Sequence, residues 1–409
     1  MVNSFKKLIS LLVTVLTMAG FFTLNAGAFN AGERVACFTE NNTEVVCVAH
    51  RGDWHSFPEN SAEAVRAAAE YGVVSVDIKL TSDGQPVLMA DGTVDRMCAD
   101  ADGKSVSGNV NSFSLADLKE LRLRGGNGSD RTVVSDFVPA SLEDAAEAIG
   151  TDAALMLNLS CSDFKTVYEK AKELNILDKV IFRFSDSNKT ILETVKGVSD
   201  INACGNYQGN IIFLATNVIK KSFATGLYTV ELGSANGHGV LYDDFLMKRF
   251  DTRGKALVSM VNGRCGKRAD REEGWDDLIS RGYSIIETDY PKELSEYLEN
   301  ADGAKAELER YMSLYADKDL SAYTTDTETA FKNAVSDAAA ILEKSSSLSE
   351  FENARYNLQN SADKLTVGAK KAVTLSFKVT PGRIAAVVLC GAAILISQIL
   401  LYKRREKKD

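Results

Sequence analysis

A short stretch near the amino-terminal end of the chain concentrates residues that can move protons and hold anions. His50 and Arg51 follow one apolar run, and Asp77 and Lys79 lie on one face of the next run, because side chains alternate along a strand. Histidine is a general acid or base near neutral pH, and arginine binds phosphate oxygens through paired N–H groups. These residue types predict a site that can bind an anion and transfer a proton.

The elements that position these residues alternate between apolar, β-rich runs and helical patterns from Thr43 to about Asn300. Near-continuous apolar runs are typical of parallel strands that are buried on both faces. Eight such units over this length predict a TIM (β/α)8 barrel of the α/β class, with its site at the carboxyl ends of the strands. The predicted strands are Val45–Ala49, Val73–Leu80, Ala154–Leu159, Val180–Phe184, Asn210–Leu214, Leu227–Leu232, Ala256–Val261 and Ser284–Thr288.

Three short motifs carry a resemblance to a known enzyme family. They are His50-Arg51-Gly52, Pro58-Glu59-Asn60 and Thr288-Asp289-Tyr290-Pro291. In this order they resemble the glycerophosphodiester phosphodiesterase family, phosphoric diester hydrolases of lipid metabolism. The resemblance implies a TIM barrel of the phospholipase-C-like phosphodiesterase type over residues 29–300.

The resemblance also implies a mechanism, from which this chain departs. The family uses two histidines as proton carriers and a calcium or magnesium ion held by carboxylates. Here His50 remains as a general acid or base and Arg51 as a phosphate ligand, and Asp77 is the carboxylate that remains for a metal. The other family positions are occupied by Ser75, Ala90, Asn158 and Ser160, which replace a glutamate, a histidine, a glutamate and a lysine.

These replacements predict a degenerate barrel. Loss of one proton carrier typically costs a factor of about 10²–10⁴ in rate, and a hard divalent ion needs several oxygen ligands. We therefore expect no cofactor, or at most weak binding of Ca²⁺ or Mg²⁺, and weak or no turnover of a bound phosphodiester or anionic ligand. The alternatives are an active hydrolase with a rearranged site and a purely structural surface protein.

Other residues are candidates for the missing functions. His55 and His238 lie in loops at the expected mouth of the barrel, where either can replace the lost acid. Arg51, Lys79 and Arg183 are candidates for binding an anion directly, without a metal. Lys79 has the alternative of pairing with Asp77, and Glu287 is expected to face outward against a helix.

The two ends of the chain predict export and membrane attachment. Residues 1–28 have the basic, apolar and small-residue regions of a signal peptide. Residues 384–402 form an apolar run long enough to cross a bilayer as one helix, and residues 403–409 are basic, which favours a cytoplasmic tail. The expected location is the cell membrane, with a single span and the remaining domains extracellular.

Residues 301–366 show three amphipathic helical patterns, followed by a linker over residues 367–383. Tyr323-Thr324 ahead of Phe331, with Leu358 and Leu365 at the end, resembles the FIVAR module of Gram-positive surface proteins, and a plain helical spacer is the alternative. Partners in the cell wall or among proteins stay open. The formal net charge of −9 argues against nucleic-acid binding, which needs a basic face. Cys37 and Cys47 are spaced for a local disulfide, although other pairings are not excluded.

Overall fold

The protein is described by a computed structural model. The description covers residues 31–38, 44–128, 132–198, 201–209, 211–233, 244–250, 254–261, 270–316 and 318–368. The predicted signal peptide, the predicted spanning segment at 384–402 and the candidate acid His238 lie outside these residues. Within them, none of the helices is both long enough and apolar enough to cross a membrane.

Eight parallel strands form the closed barrel that the sequence predicts. Around the barrel they pair in chain order, with His50 of the first strand opposite Ser75 of the second, and the first strand closes the circle by pairing with the last. The barrel strands are β1 (Val46–His50), β2 (Val73–Leu80), β6 (Ala154–Leu159), β7 (Val180–Phe184), β8 (Asn202–Gln208), β9 (Thr229–Gly233), β10 (Lys255–Ser259) and β11 (Ile285–Thr288). A short strand, β3 (Pro86–Leu88), runs antiparallel to β2 at its outer end.

One strand prediction is wrong. The predicted strand Asn210–Leu214 is not a strand in its described residues, 211–214: Ile212 begins a helix, and the strand lies earlier, at Asn202–Gln208. That strand contains Asn206 and Cys204 at its interior positions, so it lacks the apolar run that was used to identify strands. The apolar residues at the start of the helix imitate a buried strand because a short apolar run has no distinctive period.

The helices that cover the barrel follow most strands. They are α2 (Ala62–Ala68), α4 (Leu142–Ile149), α5 (Phe164–Glu173), α6 (Asn188–Thr194), α7 (Ile212–Ala224), α8 (Asp244–Met247) and α9 (Glu272–Ser280). Ser61, Ser141 and Ser187 cap three of these helices by accepting a backbone N–H bond, which supplies partners that the first helical turn lacks. The insertion between β3 and α4 adds α3 (Leu115–Lys119) and a two-stranded ribbon, β4 (Cys98–Ala99) and β5 (Arg122–Leu123).

The interior of the barrel is mostly apolar toward the amino ends of the strands, where Thr229 and Lys255 are the buried polar exceptions among the described residues, and it is polar toward the carboxyl ends. Val48, Met156 and Leu257 belong to the apolar layer, and Val35 and Phe38 pack against the same cluster. Val35 lies in a short helix, α1 (Ala31–Ala36), whose first backbone N–H bonds to Thr151 just before β6. This helix therefore closes the amino-terminal end, and access to the interior is left to the other end, where barrel sites lie.

The helical region after the barrel is present as predicted, and three helices form it. They are α10 (Pro291–Tyr315), α11 (Thr325–Lys344) and α12 (Leu348–Asp363). Helix α10 runs without a break across residue 300, so the last helix of the barrel is also the first helix of this region. Helix α12 packs along α10.

Asp276 of α9 joins the barrel to the beginning of α12. Its carboxylate accepts hydrogen bonds from the hydroxyls of Tyr297 at 2.6 Å and Ser347 at 2.9 Å, and from the backbone N–H of Ser349 at 3.2 Å. Burial raises the pKa of this carboxyl group, but the hydrogen bonds from Ser349, Tyr297 and Ser347 outweigh it, so the net pKa lies below its usual range.

No disulfide joins Cys37 and Cys47. The Cys37 thiol lies 3.2 Å from a carboxylate oxygen of Glu44, and the Cys47 thiol lies 3.7 Å from the carbonyl oxygen of Pro291. Burial raises the pKa of the Cys47 thiol, which keeps it protonated and unreactive.

Replacing Asp276 with alanine is expected to lower the free energy of unfolding by about 1–3 kcal/mol, because several buried donors lose their acceptor. Since the folded-state pKa is lowered, this stabilisation is present above the ordinary carboxyl pKa and is lost as the pH falls through the folded value. Urea unfolding at several pH values measures both effects. Glu273→Ala, which removes an exposed carboxylate from the same helix, is the control. Equal losses in the two variants would contradict the proposed role of Asp276.

Candidate functional site

His50 lies at the carboxyl end of β1 and is held by the motif that follows β11. Its Nδ1 atom is 2.8 Å from Oδ1 of Asp289, and the same oxygen accepts a hydrogen bond from Nε1 of Trp54 at 2.8 Å. The histidine is only 8% exposed. A carboxylate bond at Nδ1 fixes the orientation of the ring and leaves proton exchange with a ligand to Nε2.

Arg51 is the centre of an ion-pair chain at the mouth. Its Nε donates to Asp77 at 2.7 Å and its Nη1 donates to Glu59 at 3.0 Å. The other oxygen of Glu59 accepts from Arg96 at 2.6 Å, and Arg96 also pairs with Asp91 at 2.6 Å. Burial lowers the pKa of the Arg51 guanidinium, but the charges of Asp77 and Glu59 outweigh this, and the net pKa is raised. Arg51 is therefore charged and largely committed to protein carboxylates.

The Pro-Glu-Asn motif holds this chain of ion pairs in place. Glu59 is 2% exposed and bridges the two arginines. Asn60 adopts a left-handed backbone with φ of 57°, and its side-chain oxygen accepts the backbone N–H of Asp77 at 2.9 Å. Its amide nitrogen donates to the Asp77 carboxylate at 3.3 Å. The motif thus fixes Asp77 from both its backbone and its side chain.

A second, fully buried ion network lies below the mouth. Arg183 pairs with both oxygens of Glu231 at 2.8 and 2.7 Å, and its Nη1 donates to Glu287 at 2.8 Å. Burial lowers the pKa of Arg183, but the two carboxylates outweigh it and hold the pKa well above its usual value. Burial likewise raises the pKa of Glu287, but the charges of Arg183 and His50 outweigh it, so its pKa lies below the usual range.

Two expectations about these residues are corrected by their positions. Glu287 does not face outward: it lies in the barrel interior, 1% exposed, where Ser75 Oγ donates to it at 2.6 Å. Arg183 was expected to bind an anionic ligand, but its guanidinium is neutralised by Glu231 and Glu287 inside the barrel. Its charge therefore stabilises the interior of the barrel and is not exposed at the mouth.

The replaced family positions are joined to these networks. Asn158 stands beside Asp77 in the register of β6 and β2, and its amide donates to Ser75 Oγ at 3.1 Å and to Asp77 at 3.4 Å. Ser160 bonds to Asp163 at 2.8 Å in the loop after β6. Ala90 lies half-buried after β3 and has no titratable group.

These positions do not fit the hard divalent cation that the family resemblance implies. Asp77 is already paired with Arg51, and the neighbouring donors are a serine and an asparagine. Among the residues that the structure describes, no three His, Cys, Asp or Glu side chains are grouped to hold a metal. Calcium typically takes about six to eight oxygen ligands, several of them charged.

Of the remaining candidates, His55 lies at the rim and Lys79 lies at the mouth. His55 is exposed and stacks between Trp54 and Tyr290, with ring centroids 3.9 and 4.9 Å apart, and Arg271 covers the Tyr290 ring at 3.4 Å. Lys79 does not pair with Asp77. In the described part of the chain its ammonium makes no ion pair and donates one long bond, 3.5 Å, to the carbonyl of Ile78.

Sequence reasoning missed Asp289, Glu231 and Trp54 as parts of the site. Asp289 was noted only as part of an intact motif, although it is the partner of His50. Glu231 follows Thr229 by two positions on β9, and this alternation puts both on the interior face. A buried charge in an apolar strand is a usable signal, because it requires a buried partner of opposite charge.

The comparisons with known proteins agree on one family. Residues 50–208 match the model of the "Glycerophosphoryl diester phosphodiesterase family". The chain is 26% identical over 163 residues to the Homo sapiens protein "Glycerophosphodiester phosphodiesterase 1", which covers 36% of this chain and 47% of that protein. It is 30% identical over 163 residues to "Glycerophosphodiester phosphodiesterase" of Caldanaerobacter subterraneus subsp. tengcongensis, which covers 37% of this chain and 62% of that protein.

A solved structure supports the fold. The glycerophosphoryl diester phosphodiesterase from Parabacteroides distasonis superimposes with a TM-score of 0.51 at 16% identity, over 66% of this chain and 91% of that chain. At this identity the likeness concerns the fold alone. The sequence match to the human relative spans about half of that relative's length.

Replacing Arg183 with methionine is expected to destabilise the barrel by about 3–5 kcal/mol, because two buried carboxylates lose their counter-ion. The pH dependence should reverse in sign. Wild-type stability falls on acidification, since Glu287 has a lowered folded-state pKa, whereas the variant gains stability because protonation relieves its unpaired carboxylates. Urea unfolding between about pH 2 and pH 8 measures both slopes, because the wild-type loss lies below the ordinary carboxyl pKa.

The matched control carries Glu231→Gln and Glu287→Gln together with Arg183→Met. It should lose the reversed pH slope, because the charges are gone. A reversed slope that persisted in this triple variant would assign the effect to other groups.

Proposed function

We propose that this chain, whose barrel is a glycerophosphoryl diester phosphodiesterase family domain, is a degenerate member that binds a phosphodiester or similar anionic ligand with weak or no turnover. The observation that carries the proposal is the set of ion pairs at the mouth. Asp77, which remains from the implied metal site, is neutralised by Arg51, and Ser75 and Asn158 are hydrogen-bonded beside it. The geometry favours a site whose charges are balanced without a metal.

The proton relay is reduced to one member. His50 is correctly oriented by Asp289, but Ala90 cannot protonate a leaving oxygen or remove a proton. The loss of one of two proton carriers alone typically reduces the rate by about 10²–10⁴. Together with the missing carboxylates, this supports binding as the main activity of the mouth.

Two groups are the best candidates to contact the ligand. His50 offers Nε2, which donates to a phosphate oxygen when it is protonated. Lys79 has a charge without an ion pair among the described residues, and it follows Asp77 on the same face of β2. Arg51, whose side chain is 22% exposed, adds one edge of a guanidinium.

A second candidate function is hydrolysis of glycerophosphodiesters or lipid headgroups by a rearranged site. The His50–Asp289 pair favours it, because a carboxylate at Nδ1 is the arrangement that supports an imidazole in general acid–base chemistry. Under this alternative His55, or His238 outside the described residues, supplies the second proton carrier.

The cellular setting belongs to the same proposal. A signal peptide at residues 1–28 and a spanning helix at 384–402 would place the barrel outside the cell on a single anchor. The helices up to residue 366 would be a FIVAR-like module or a spacer between barrel and membrane. Cell-wall or protein partners are left open by these features.

The proposal is tested with the purified full chain and glycerophosphocholine. Isothermal titration is expected to show binding that chelation of divalent ions does not change. Lys79→Met and His50→Gln are expected to weaken binding by about tenfold each, since each removes one charged or hydrogen-bonding contact. Lys189→Met, whose lysine side chain is 87% exposed on α6, is the matched charge control and should bind as the wild type does.

Turnover separates the two candidate functions. Release of choline or glycerol phosphate that is lost in His50→Gln would support the rearranged hydrolase and contradict the degenerate barrel. An absence of both binding and turnover would contradict both candidates.

Restoring the family residues is expected to require a change at one further position, Glu287. Ser75→Glu would place a carboxylate against Glu287, whose oxygen is 2.6 Å from Ser75 Oγ. We therefore expect Ser75→Glu to destabilise the protein, as like charges in a buried site do, and Glu287→Gln to relieve this. Thermal unfolding of the single and double variants is the measurement, and Ser56→Glu, at an exposed position in the loop after β1, is the control. A stable Ser75→Glu protein would mean that Glu287 does not compete at this site.

A further inference from the structure

The rim of the barrel carries an exposed apolar patch beside the mouth. It consists of Ile211, Phe213 and Leu214, which are 57%, 77% and 46% exposed. These residues form the end of the loop after β8 and the first turn of α7, and loops after barrel strands lie at the end where ligands enter. The patch therefore shares an end of the barrel with His50 and Lys79.

The patch is not needed to hold α7 on the barrel. That contact is made by the opposite face of the helix, through the buried side chains of Ala215, Ile219 and Phe223. Three large apolar side chains so close in sequence, exposed at a ligand entrance, mark an interaction surface rather than scattered exposure.

A fourth exposed apolar residue of the described part of the chain lies at the same end. Val133 is 82% exposed in the insertion before α4. This insertion is tied to the loop after β1, because the carbonyl of Gly126 accepts the backbone N–H of Glu59 at 2.9 Å. Apolar side chains thus project from two loops at the entrance.

The chemistry of the patch suits a lipid surface. From Ile212 to Ile219 helix α7 has no charged residue, and its lysines, Lys220 and Lys221, come only toward the other end. An apolar tip without acidic residues enters the boundary between headgroups and acyl chains without burying a charge. A docking surface for a protein partner normally surrounds its apolar centre with a polar rim.

The length of the chain after the described helices allows this placement. From residue 369 to residue 383 there are fifteen residues before the apolar run at 384–402. Fully extended, such a linker reaches about 50 Å at roughly 3.3 Å per residue. A linker of this length does not fix the orientation of the barrel relative to the membrane. The apolar patch then favours the orientation in which it faces the lipid.

We propose that Ile211, Phe213 and Leu214 insert into the lipid surface and turn the mouth of the barrel toward the headgroups. The ligand is then the phosphodiester of a lipid headgroup in the bilayer, not only a soluble glycerophosphodiester. The ligand part of this inference rests on the proposed function, whereas the insertion of the patch does not.

The test uses the full chain reconstituted into phosphatidylcholine vesicles with brominated acyl chains, which quench nearby tryptophan emission. Phe213→Trp is compared with Ala224→Trp, at the exposed far end of the same helix, about 16 Å away at 1.5 Å per residue. Emission of the wild type, from Trp54 and Trp275, is subtracted from both. We expect a loss of emission at position 213 and none at position 224.

Equal quenching at both positions, or none at position 213, would overturn the insertion, as would failure of the full chain to associate with vesicles. A shift in the position-213 emission that appears in detergent and disappears on dilution would identify a second copy as the occupant and would also overturn it. Titration of glycerophosphocholine into the full chain in a detergent without phosphodiester groups tests the proposed function separately, because phosphatidylcholine headgroups would compete for the mouth. Quenching without ligand binding leaves the insertion standing and removes the headgroup as ligand. Ligand binding without quenching overturns the insertion and leaves the proposed function standing.

Discussion

The polar half of this barrel depends on the burial of one guanidinium between two carboxylates. Arg183 is surrounded by strands, and its charge is tolerable there only because Glu231 and Glu287 come from strands across the interior to meet it. A buried charge without partners costs several kcal/mol, so the three residues form a unit that is retained or lost together. Ser75 and Asn158 extend this unit toward the mouth with hydrogen bonds.

This constraint explains why the mouth has the charges that it has. With Glu287 below it, position 75 cannot easily hold another carboxylate, and a neutral serine that donates to Glu287 is stable there. Asp77 in turn needs a cation, and Arg51 provides it at 2.7 Å. The substitutions that look like isolated losses in the sequence are therefore parts of one electrostatic arrangement, in which fixed guanidinium groups neutralise the carboxylates of the site.

Much of the fold was predictable, because periodicity and motifs report on it directly. Seven of the eight barrel strands were placed near their observed bounds, and the predictions for β2, β6 and β7 agree with the structure residue by residue. The strand at Asn202–Gln208 was missed because its inward side chains are polar, as the mouth requires, so the local pattern lost the apolar signal. The roles of Glu231 and Glu287 were missed for a different reason, although their strands were predicted. Their pairing with Arg183 joins three strands that lie far apart in sequence, and no local spacing encodes which of several charged residues meet in a closed barrel.

The balance of charges also restricts what the mouth can bind. Arg51, Arg96 and Arg183 are each compensated by carboxylates, so the attraction for an anion rests on Lys79 and on His50 when it is protonated. Two such contacts at an open mouth give modest affinity in water, because exposed charges are screened within about 8–10 Å at ordinary ionic strength. A ligand held at a surface is presented at a higher effective concentration than a ligand in solution. An apolar rim that holds the mouth against lipid headgroups would supply what the weakened charge set lacks, and for this reason the rim and the altered site are best understood as one adaptation.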